Sequence, residues 1–232
     1  MGTRALDRDR FDRYVEQLAQ AVNHADRRWA VEAYVTGLLL PGERKSVEPM
    51  AARIDPRHAS ARHQALHHFV AQAEWSDEEL LRRVAQWVVP KMDTSGGAYW
   101  IIDDTGIPKK GRHSVGVARQ YCGELGKQDN CQVAVSVSLA TEQASLPVAY
   151  RLYLPKDWAR DARRRRTAGI PAEVRFATKA QIALGELEAL LASPLADAVG
   201  LGLSERASRD ALRVVTASYE YHGGFRLRTL SA

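Results

Sequence analysis

A chain of 232 residues, 45% hydrophobic and 26% charged, has enough apolar sequence for one large domain, or for a small domain plus a larger one. A formal net charge of +5 and a pI near 9.3 permit a nucleic-acid partner without requiring one. Acids stand among the N-terminal arginines, and the run Val35-Thr-Gly-Leu-Leu-Leu-Pro41 is too short for a bilayer, so neither signal peptide nor membrane anchor is expected.

Residues 5–34 read as helix. Phe11, Val15, Leu18 and Val22 recur at spacings of three and four, and Trp29, Val31 and Tyr34 extend the pattern after a break near Asn23. Pro41-Gly42 ends the segment. A short helix starts near Ser46 and breaks at Asp55-Pro56. Helical pattern returns from Ala59 to Trp75 with Leu66, Phe69 and Val70 inward. His63 and His67 lie four apart on it, but no third ligand accompanies them, so packing is the expected role. Ser76-Asp-Glu-Glu79 is a capping box for a helix to about Val88, closed by Pro90. The first 90 residues are thus expected to form a helical bundle.

After residue 95 the pattern changes. Tyr99 to Asp104 reads as a strand ending in two acids, followed by a Gly/Pro turn and basic residues. Carboxylates at a strand end suit Mg²⁺ or Mn²⁺; a plain strand-to-turn junction is the alternative. Residues 106–130 form a long loop or extended hairpin. Cys131 to Leu139 alternates with period two, and Leu146 to Leu154 is its antiparallel neighbour across the 140–145 link. Cys122 and Cys131 are read as reduced thiols of a cytosolic protein. Arg160-Asp-Ala-Arg-Arg-Arg-Arg166 is the densest basic run, either a solvated helix face or a phosphate-binding one. Thr178 and Gln181 cap a helix from Lys179 to Leu191, and residues 211–217 form a short strand candidate. A mixed sheet with a covering helix fits this order.

Several stretches carry a resemblance. Lys45-Ser-Val-Glu-Pro-Met-Ala, Ile102-Asp-Asp-Thr-Gly-Ile-Pro-Lys-Lys-Gly, His113-Ser-Val-Gly-Val-Ala-Arg-Gln-Tyr-Cys, Asn130-Cys-Gln-Val-Ala-Val-Ser and Arg151-Leu-Tyr-Leu-Pro-Lys-Asp-Trp158 resemble IS701-type transposases of the DDE superfamily. Thr178-Lys-Ala-Gln-Ile-Ala183 matches more loosely. The resemblance implies an α/β chain. A helical, DNA-binding region would span 1–92, and the first part of a ribonuclease-H-like catalytic domain would span 93–232. It also implies a prokaryotic, nucleoid-associated cytoplasmic protein, with two Asp and one Glu holding Mg²⁺ or Mn²⁺.

By this resemblance Asp104, the acid before Thr105, is the favoured catalytic and metal-binding residue. Period-two alternation puts Asp103 on the opposite face, as a supporting residue. Lys109, Lys110, Arg112, His113 and Arg119 would line the DNA path, with Arg163, Arg164, Arg165 and Arg166 as a second basic patch. The family's second Asp has no counterpart in Val214-Val-Thr-Ala-Ser-Tyr-Glu-Tyr221, where Ser218 stands near its place and Glu220 is a displaced substitute. The expected protein is therefore a truncated transposase derivative, its inherited cleavage and strand transfer lost. Two alternatives stand beside it. One is a non-catalytic DNA-binding regulator competing with, or associating with, an intact transposase; the other is a structural protein associating through its exposed sheet.

Overall fold

The computed structural model describes residues 2–22, 27–193 and 195. The chain divides into two compact units, residues 1–88 and 89–232. The first is helical: α1 (Gly2–Ala19), α2 (Arg28–Leu39), α3 (Val47–Ile54), α4 (Ala59–Ala71) and α5 (Asp77–Val88). Its core gathers Val15, Leu18 and Val22, then Val31 of α2, Ala51 of α3, and Leu66 and Phe69 of α4. Leu80 and Val84 of α5 pack against it. Ser46 stands in extended conformation ahead of α3, and Asp55 before Pro56 ends that helix. Ser76 Oγ accepts from the Glu79 N–H at 3.1 Å to open α5. Val70, expected inward, is 39% exposed, because one step of about 100° from Phe69 carries it off the buried stripe.

The second unit is built on one long strand. Its strands are β1 (Tyr99–Pro108), β2 (Ala118–Cys122), β3 (Lys127–Ala140) and β4 (Ser145–Leu152). β3 pairs antiparallel with each of the other three. The long-strand meander β1–β3–β4 is followed by α6 (Lys156–Arg160), α7 (Ala162–Thr167) and α8 (Lys179–Leu191). With α8 on one face, this is a ribonuclease-H-like topology. The described ladders are all antiparallel. The strand expected at 211–217, and Ser218 and Glu220 beyond it, lie outside the described residues.

β1 runs past its two acids to Pro108, so they sit mid-strand, not at a strand end. The Gly-Ile-Pro sequence reads as a turn but belongs to the ladder. Gly106 is buried under β2, where a Cβ would stand 2.9 Å from Cys122 Cα. Pro108 is the last strand residue, where proline is tolerated.

The β3 alternation holds. Val133, Val135, Val137 and Leu139 are buried. Val135 meets Ile182 and Ala183 of α8, and Val137 meets Leu187. Thr178 and Gln181 form the reciprocal capping box at the start of α8. The other sheet face exposes Tyr99, Ile101 and Ile107 of β1 with Tyr150 and Leu152 of β4.

Candidate functional site

Alternation along β1 decides which acid faces what. Ile102, two residues from Asp104, packs with Val135, Ile182 and Ala183 on the α8 side of the sheet. Asp104 therefore shares that face and Asp103 takes the other. The Asp104 Oδ2 accepts from Lys179 Nζ at 2.5 Å, with the two side chains 34% and 26% exposed. Lys179 is the first residue of α8, and its ammonium lies 5.7 Å from the centre of the Tyr153 ring. Burial raises the Tyr153 hydroxyl pKa above its ordinary value. Asp103 Oδ1 accepts from the Asp104 N–H at 2.8 Å.

A Mg²⁺ or Mn²⁺ site needs several oxygen ligands around one point. Among the described residues no group of three or more His, Cys, Asp or Glu side chains could hold a metal ion. Asp104 contributes one carboxylate, already paired with an ammonium, and Asp103 points away from it. The described residues thus do not fit a two-metal centre. His63 and His67 of α4 meet edge to face at 6.1 Å and belong to no such group. Cys122 and Cys131 are buried free thiols. Burial, then neighbouring Cys122, raises the Cys131 pKa above its ordinary value.

The basic stretches are held by a second set of contacts. Asn130 Nδ2 donates to the Lys109 and Gly111 carbonyls at 2.6 and 2.8 Å. Gln132 Nε2 donates to the Val115 carbonyl at 2.6 Å. Two polar side chains of β3 thereby lace down the segment that carries Lys109, Lys110, Arg112 and His113. Trp158 of α6 is 1% exposed and donates its indole N–H to the Val117 carbonyl at 2.8 Å. The Arg164 guanidinium stacks 3.5 Å above the Trp158 ring and donates to the Arg112 carbonyl at 2.8 Å. The two basic stretches, about fifty residues apart in sequence, are joined at that bond. Arg165 donates to the Pro171 carbonyl at 2.8 Å.

Arg164 and Arg165 are thus engaged with backbone, whereas Lys110, Arg112, His113, Arg163 and Arg166 are exposed. Arg119, also exposed, lies near Asp129. Sequence reasoning did not find Asn130, Gln132, Trp158 or Lys179 in these roles. Each acts on a partner distant in sequence, and Lys179 reads there only as the first residue of a capped helix.

Residues 17–219 match the family model described as DDE superfamily endonuclease. A probable transposase for insertion sequence element IS701 from Microchaete diplosiphon is 37% identical over 94 residues, which are 40% of this chain and 24% of that protein. The chain therefore matches about a quarter of that relative's length. No solved structure matches the chain. Among the described residues no helix is long and apolar enough to cross a membrane.

Proposed function

Because the chain belongs to the DDE superfamily endonuclease family, we propose that it is a transposase-derived DNA-binding protein that does not itself carry out the inherited cleavage and strand transfer. The observation that carries this reading is the joining of two basic stretches by Arg164, which holds the Arg112 carbonyl. Lys110, Arg112 and His113 are exposed on the one stretch and Arg163 and Arg166 on the other; Arg119 is exposed and Lys109 half-buried. Such a surface suits the phosphate backbone, which positions a protein on DNA without reading sequence. The partner is DNA, with transposon ends as the natural target. A chain that occupies those ends competes with an intact transposase and so regulates it; residues 1–92 would add DNA contacts.

The family's cleavage chemistry depends on divalent metal. Asp104 offers one carboxylate, committed to Lys179, so no metal-dependent step is assigned to it. Titration of labelled duplex DNA by anisotropy at several salt concentrations tests the binding. With four to six phosphate contacts, log K falls against log salt with a slope of about −4 to −5. Binding that ignores salt, or no binding, defeats the reading. A nicking assay with Mg²⁺ and Mn²⁺ tests the rest: cleavage that disappears in Asp104→Ala restores the chain to the active enzymes.

A further inference from the structure

Asp104, Val135 and Arg151 stand directly opposite one another across β1, β3 and β4. Directly paired residues of an antiparallel ladder share a face, so these three present one row toward α8. The row reads negative, apolar, positive. The helix above it reads the reverse. Lys179 pairs with Asp104, Ile182 and Ala183 pack on Val135, and Glu186 pairs with Arg151. Positions 179, 182, 183 and 186 fall on one helical face. Seven residues of helix rise about 10.5 Å, close to the roughly 9.5 Å of two strand spacings. The charge pattern of the helix therefore matches that of the sheet in both sign and span.

We propose that Asp104 is a structural acid whose carboxylate, with Arg151, sets the direction and register of α8, and that Lys179 is its resident counter-cation. Turning the helix end for end places Lys179 over Arg151 and Glu186 over Asp104. Sliding it by one turn leaves both pairs broken. Like charges brought together reject the first arrangement, and charges left without partners disfavour the second. A carboxylate at the N-terminus of α8 also meets the favourable end of its dipole. An ammonium in the first turn does not, and Asp104 compensates it. Lys179 thus belongs to the packing of α8 on the sheet. This inference rests on the reading that the Asp104 corner holds no metal centre, and it adds the task the acid performs instead.

A thermal double-mutant cycle over Asp104→Asn, Lys179→Met and the double variant tests it, together with Mn²⁺ titration followed by the loss of the free-ion EPR signal. Each single variant lowers the unfolding midpoint by about 2–8 °C, and the double variant falls no further than the lower single. Mn²⁺ binds wild type no more tightly than Asp104→Asn. Additive losses in the cycle overturn the proposal, as does a Mn²⁺ site present in wild type and absent from Asp104→Asn. Should a variant not fold, wild type still decides: a tightly held Mn²⁺ that broadens the Asp104 amide resonance refutes a carboxylate occupied by lysine. DNA affinity, measured on the same proteins, reports separately on the proposed function. The Asp104–Lys179 pairing can fail its test while salt-dependent binding stands, and the reverse.

Discussion

Gly106 lies in the middle of a paired strand, where glycine ordinarily weakens a ladder. Its value is close approach. The Cβ of any other residue would stand 2.9 Å from Cys122 Cα and 3.0 Å from Cys122 Sγ, and the first of these is backbone that cannot swing aside. Gly106→Ala therefore forces β1 and the end of β2 apart, two residues from Asp104. The expected cost is about 1–3 kcal/mol, the usual range for overpacking a tight interior. Gly111 is the control, since a Cβ there meets nothing within 4 Å. Gly111→Ala is expected to stay within about 0.5 kcal/mol of wild type. Urea midpoints of the two variants check the contrast, and equal midpoints would show that β2 yields easily.

The helices α6 and α7 carry five arginines between residues 160 and 166, and the structure separates their tasks. Asp161 caps α7 by accepting from the Arg164 N–H at 2.8 Å, and the Arg164 side chain lies over Trp158 and donates to the Arg112 carbonyl. Arg163 and Arg166 remain exposed. Arg164→Ala should lower the thermal midpoint and weaken DNA binding together, because it releases the 109–117 segment from its anchor. Arg163→Ala and Arg166→Ala should leave the midpoint in place, and each should reduce the salt slope of binding by about 0.9. Should Arg164→Ala behave like the other two, the anchoring role is wrong.

This division marks where sequence reading stops. The capped helix from Thr178 and the period-two strand around Cys131 were readable because their signals are local: a side chain bonding a backbone three residues on, and an alternation that buries one face. The opposite facing of Asp103 and Asp104 followed from that same alternation. Trp158 beneath Arg164, and Lys179 on Asp104, were not readable. Lys179 meets Asp104 only once α8 has folded back over the sheet, 75 residues on, and one arginine of a run looks like the next until a ring lies under it. Gly106 misled for a related reason. Glycine before a proline signals a turn unless something unseen in the sequence, here Cys122, presses against it.

Across the molecule, the ionisable groups with shifted pKa values define a pH range of full stability. Glu79 accepts hydrogen bonds from Arg82 and Arg83, which hold its carboxyl down to about 2 from an ordinary 4.5. Asp55 is lowered by Arg62 and His58, Asp93 by Ser95, and Asp129 by the Asn130 N–H and Lys127. Each such carboxylate binds its proton more weakly when folded than when unfolded. Its contribution is complete above the ordinary carboxylate range and is lost as pH falls through the folded value. The alkaline side is set by groups that burial keeps neutral. Tyr14 and Tyr153 are raised above an ordinary 10.0 and Cys131 above 9.0. Their contribution is complete below those ordinary values and disappears as pH rises through the raised ones. Thermal midpoints at fixed ionic strength should therefore be level from about pH 5 to 8.5, falling below about pH 4 and again above about pH 10. Glu79→Gln should lower the plateau and flatten the acid limb between about pH 4.5 and 2, because the neutral amide has no proton to take up. A variant whose acid limb keeps the wild-type slope would show that the Arg82 and Arg83 contacts are too well solvated to matter. Added salt gives a further check: these carboxylates lie at or near the surface, so raising ionic strength should shrink the acid limb by screening the arginine and lysine pairs.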